Sequence, residues 1–83
     1  MDYTLIVPVQ KVGGEKIETV TVKESYTGRD TKAIGNSGGE GSAMIALVVA
    51  ATGLSENTVL NMDARDVRKI VGIAKNFLAD GEA

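Results

Sequence analysis

From Tyr3 to Gln10 the chain alternates, with Tyr3, Leu5, Val7 and Val9 on one parity and Thr4, Ile6, Pro8 and Gln10 on the other. Period-two alternation with β-branched residues predicts a strand, and Pro8, which has no N–H to give a ladder, argues that the strand lies on a sheet edge or turns that position outward. Gly13-Gly14 follows, a pair able to take the positive φ angles of a tight hairpin turn. A second strand is expected from Lys16 to Glu24. Val20 and Val22 share one parity there and Ile17 has the other, so a bulge near Glu18-Thr19 would bring all three to one face.

The pattern then changes period. Ser25 and Thr27 are capping candidates for a short helix or turn before Ile34, and Gly35 to Gly41 has the composition of a flexible loop. Ser42 is expected to cap a helix reaching Thr52, with Gly53 as the left-handed residue that stops it. Its middle, Met44 to Ala51, is apolar on every face; the Ala content and the terminal Gly favour helix over buried strand, and such a helix must be surrounded. Ser55 caps a shorter helix to about Leu60, which Asn61 can end. Asp63 opens the last one, with Asp66 as the acidic half of a capping box. Val67, Ile70, Val71, Ala74, Phe77 and Leu78 form its apolar stripe, and Arg65, Arg68, Lys69 and Lys75 lie mostly off it. Residues 80–83 read as a frayed tail.

These elements predict an α+β fold in one domain over residues 1–83: an N-terminal antiparallel β-hairpin (1–24), a short helix or turn plus Gly-rich loop (25–41), a block completing three to four helices (42–79), and the tail (80–83).

Composition narrows the chemistry more than it narrows the fold. The 83 residues are 43% hydrophobic and 24% charged, enough for one modest core. Cys and His are both absent, which removes disulfides, thiolate metal sites, the commonest general base and the usual zinc ligand. The formal net charge of −2 gives no general attraction to phosphate. The longest uninterrupted apolar run, Ala43 to Ala51, is under half the ~20 residues needed to span a bilayer.

Three local patterns invite functional readings. The Gly35–Ser42 stretch resembles a phosphate loop, but Glu40-Gly41-Ser42 stands where Gly-Lys-Ser/Thr is required, and an acid there repels phosphate. Asp63 and Asp66 could pair for acid–base work, yet the free N–H groups and dipole of a helix start already account for acids at that place. Val49 to Val59 has the outline of a helix-turn-helix. The would-be recognition helix carries Glu56, Asn57, Thr58, Asn61 and Asp63 without an Arg or Lys to anchor phosphates, so a tight αα turn is the better reading.

Several stretches in order carry a family resemblance: the apolar strand ending in Pro8, Gly14 and Ile17, the Val20-Thr21-Val22-Lys23-Glu24 strand, Asp30, the apolar helix, Thr52-Gly53-Leu54, Val59, and Met62-Asp63-Ala64-Arg65-Asp66-Val67 leading to Phe77-Leu78. Together they resemble the small tail assembly chaperones of Mu-like and P2-like contractile-tailed phages. Met62 and Val67 depart from the pattern, where a Leu and a bulkier apolar or aromatic residue would be expected. The absent His and Cys point to a non-enzymatic protein without cofactor or metal, and the resemblance implies a tail assembly chaperone. It would bind the tape measure protein, assist tail tube assembly around it with the tail tube protein as a possible second partner, and act in the host bacterial cytoplasm without entering the mature virion. The alternatives are a helix-turn-helix DNA-binding protein and a minor structural tail protein.

A helix apolar all round is hard to cover in so short a chain. An apolar patch is therefore expected for self-association or for gripping client helices, drawn from Met44, Leu47, Val48, Leu54, Leu60 and Met62.

Overall fold

The computed structural model describes residues 1–11, 13–36 and 38–80, with backbone alone at 79 and 80. The tail expected over 81–83 lies outside the described residues. In chain order the elements are β1 (Asp2–Gln10), β2 (Lys16–Thr21), α1 (Gly28–Gly35), α2 (Glu40–Thr52), α3 (Glu56–Leu60) and α4 (Ala64–Asp80). The α+β class and the hairpin-then-helices order are as the sequence predicts.

β1 and β2 pair antiparallel in a two-stranded sheet. The turn between them uses Gly13 and Gly14 at φ +110° and +94°, with Lys11 N–H donating to Glu15 O at 2.7 Å. Tyr3 faces Val20 and Thr4 faces Thr19, but the next pair is Val9 with Ile17. The register irregularity therefore differs from the bulge expected on the second strand: Leu5 to Pro8 of β1 lie opposite Glu18 alone. Leu5 and Val9 stay buried at either end of the bulge, while Val7, which shares their parity in the sequence, is 41% exposed and Ile6 51%. Val20 and Val22 are buried, and Ile17 packs half-buried on the same core.

The excess chain is held by a side chain from the far end of the sequence. Asp66, wholly buried on the first turn of α4, accepts hydrogen bonds from Ile6 N–H at 2.8 Å, Val7 N–H at 3.1 Å and the Tyr3 hydroxyl at 2.8 Å. Amides turned away from β2 by the bulge thus find an acceptor, as buried backbone donors must. The expected capping box at this helix is accordingly absent in its reciprocal half. Asp63 caps α4 by accepting from Arg65 N–H at 2.8 Å, but the Asp66 carboxylate turns to β1 instead of back to the cap.

Caps fix most of the remaining helix ends. Thr27, one of the two candidates, caps α1 in a full capping box with Asp30. α2 starts at Glu40, earlier than the cap expected at Ser42, with Gly39 as N-cap and no side-chain cap bond. Gly53 ends it at φ +75°, its N–H donating to Val49 O at 2.9 Å. Ser55 Oγ accepts from Thr58 N–H at 3.3 Å to open α3.

One core joins all layers. Leu5, Val9, Val20 and Val22 from the hairpin meet Leu47, Val48 and Ala51 of α2, Val59 and Met62 around α3, and Val67, Ile70, Val71 and Ala74 of α4. The hairpin is further fastened where Val22 N–H donates to Met1 O at 2.7 Å and Lys23 N–H to Ala51 O at 2.9 Å, at the C-terminal end of α2.

Candidate partner-binding site

α2 carries apolar residues all round, yet only one side of it is buried: Leu47, Val48 and Ala51, at one-turn spacing. The side turned away from them is the base of an open groove of about 910 Å³. Ile45, Ala46, Val49 and Ala50 form its floor, Ala33 of α1 adds to one wall, and Leu60 of α3 stands on the other. Leu60 is 57% exposed, the most exposed large apolar side chain among the described residues.

Charges sit at the rim and leave the floor apolar. Arg29 and Asp30 come from α1 and Glu56 from α3. Asp30 is committed within the chain: Lys23 Nζ donates to its Oδ2 at 2.7 Å and Thr27 N–H to the same oxygen at 3.0 Å. The Lys23 ammonium first, and then the Thr27 amide, hold its carboxyl below the usual carboxylate range. Lys23 also lies 5.0 Å from the centre of the Tyr26 ring, a cation–π contact that steadies the start of α1 and with it one groove wall. Burial, with the Asp30 charge second, pushes the Tyr26 phenol up from its ordinary value.

The structure divides the six residues expected to form a partner patch. Leu47, Val48 and Met62 are 4%, 0% and 8% exposed and belong to the core, leaving them little surface to offer. Leu54 is half-buried against that core. Leu60 stands on the large groove, while Met44 lines a second, smaller one on the other side of α2. Sequence reasoning missed Ile45, Ala46, Val49 and Ala50. With every position from Ala43 to Ala51 apolar, periodicity cannot tell the buried side of α2 from the open one; only the arrangement of α1, α3 and α4 around it does.

Other sequence candidates resolve into structure. Asp63 caps a helix and pairs with its neighbour Arg65 at 3.0 Å, which keeps its carboxyl below the ordinary range through the guanidinium and then the Arg65 amide. Asp66 holds the β1 bulge. α2, Gly53 and α3 make a tight αα turn in which the second helix has five residues. Among the described residues no group of three or more acidic side chains is placed to hold a metal ion, and no helix is long and apolar enough to cross a membrane.

The architecture is thus a small α+β module with an open apolar groove on its helical side. Residues 2–79 match the family of phage tail assembly chaperone proteins, E, or 41 or 14, and the chain belongs to that family. The resemblance drawn from its sequence holds over nearly its whole length. No match was found among curated proteins or among solved structures.

Proposed function

We propose that the chain binds the tape measure protein during phage tail assembly, keeping that client soluble while tail tube subunits gather around it. The observation that carries this reading is the apolar groove over α2, floored by Ile45, Ala46, Val49 and Ala50. An amphipathic helix laid there removes apolar surface on both partners from water, the helix-in-groove mode of recognition. Such holding is reversible and involves no bond making. The work belongs to the host bacterial cytoplasm, and a chaperone of this kind leaves before the virion is complete.

Co-expression with the tape measure protein tests the proposal. The client is expected in the soluble fraction with the parent chain and in the pellet with Ala46→Glu or Leu60→Glu, both of which put a carboxylate in the groove. Equal insolubility of the client with and without the parent chain overturns it, as does full activity of both variants when they are shown to be folded.

A further inference from the structure

On the opposite side of α2 lies a second groove, of about 360 Å³, between α2 and α4. Its accessible floor is apolar, built from the half-buried Ile34, Ala43 and Met44 over the core residues Leu47 and Val71, and its α4 wall carries Arg68, Gly72 and Lys75. Two features of that wall have no use inside the chain. Arg68 and Lys75 are exposed, and no ion pair engages either among the described residues. They stand seven residues apart on one side of α4, about 10.5 Å along the axis.

Gly72 lies between them. An interior glycine weakens a helix, and this one is not there for room or for backbone geometry: a methyl group on its Cα would meet nothing within 4 Å, and its φ is not positive. What a bare Cα does provide is close approach by another backbone. The one acid on the groove, Glu40, sits in the first turn of α2, where the helix dipole already favours it.

We infer that this groove is a separate docking site for an amphipathic helix of a partner protein that carries carboxylates two turns apart beside its apolar stripe. The apolar stripe covers Ile34, Ala43 and Met44. The two carboxylates meet Arg68 and Lys75, and the helix backbone comes close over Gly72. The site stands independently of the groove between α1 and α3, so one chain has room for two helical segments at once.

The test uses the full chain and two model helical peptides of about four turns, identical in their Leu stripe and differing only at positions i and i+7, Glu in one and Lys in the other. Binding is read by fluorescence anisotropy at low and high salt. The Glu peptide is expected to bind about tenfold more tightly at low salt, the combined effect of two exposed ion pairs. Arg68→Glu/Lys75→Glu should reverse that preference. Gly72→Ala should raise the melting temperature and at the same time weaken the Glu peptide, a pairing that loss of fold cannot produce.

Equal binding of both peptides, binding of neither, or undiminished binding by Gly72→Ala overturns the inference. So does a change in self-association of the chain, with no change in peptide binding, in the Gly72→Ala variant; the occupant would then be a second copy. None of these outcomes bears on the larger groove, which co-expression with the tape measure protein reads separately.

Discussion

Removing the Asp66 carboxylate should cost this fold more than any other single side-chain truncation on its polar inventory. Three donors converge on it: Ile6 N–H and the Tyr3 hydroxyl at 2.8 Å each, and Val7 N–H at 3.1 Å. The carboxylate itself is 0% exposed. Asp66→Ala leaves two peptide N–H groups and a phenol without an acceptor, and each stranded buried donor costs about 1–3 kcal/mol. Water reaching the partly buried bulge recovers some of that, so about 3–5 kcal/mol is expected. A chain of this length holds roughly 4–12 kcal/mol in total. The variant should therefore be close to unfolding.

Asp66→Asn keeps the shape but offers one acceptor oxygen and turns an NH₂ toward the donors, for a loss of about 2–3 kcal/mol. Tyr3→Phe removes one donor and leaves both amides satisfied, for about 1–2 kcal/mol. Urea unfolding followed by circular dichroism gives all three from the midpoint at constant slope. The order Ala, then Asn, then Phe is the signature of a carboxylate that holds the bulge. A loss below about 1 kcal/mol in Asp66→Ala, or a Tyr3→Phe variant as damaged as Asp66→Asn, would refute it.

The same contact makes stability sensitive to alkali. Burial first, then the hydrogen bond to Asp66 and that group's negative charge, push the Tyr3 phenol up from 10.0 to about 12. A phenol whose pKa is raised on folding stabilises fully below pH 10 and loses that contribution as pH rises from 10 toward 12. Thermal unfolding between pH 9 and 11.5 should show a decline that Tyr3→Phe flattens. Gly53→Ala should destabilise by about 1 kcal/mol in the same urea assay, because φ +75° is unfavourable for any Cβ even though open space surrounds it. Thr27→Ala removes the α1 cap and should cost about 1 kcal/mol, read by urea midpoint. Leu60→Glu, at an exposed site on the groove wall, should shift stability by less than about 0.5 kcal/mol while abolishing client solubilisation.

Much of the fold could be read from the sequence because its signals are local. Gly13-Gly14, Thr27, Gly53, Ser55 and Asp63 each act through backbone geometry or a bond to an amide a few residues away. The stripe Val67, Ile70, Val71, Ala74 has one apolar side and hence one way to face the core. The bulge is not placed by the sequence because its cause is remote: the residue that makes three extra positions on β1 tolerable lies at position 66, and nothing near Leu5 to Pro8 announces it. The groove was misread for a different reason. An apolar run from Ala43 to Ala51 announces that the helix is covered but not from which side, so the patch expected at Leu47 and Val48 falls on the buried face, and the open face carries Ile45 and Val49 instead. α2 starts at Glu40, ahead of the cap expected at Ser42, with Gly39 as an extended N-cap that makes no side-chain bond.

The proposed function requires the α1–α2–α3 groove to receive a client helix. The most direct test is a titration of the isotopically labelled chain with helical segments of the tape measure protein, followed residue by residue by NMR. The resonances of Ile45, Ala46, Val49, Ala50 and Leu60 should shift together and saturate with one affinity, and Ala46→Glu should abolish the response. Shifts confined to the exposed hairpin residues Ile6 and Val7, with the groove residues unmoved, would contradict it.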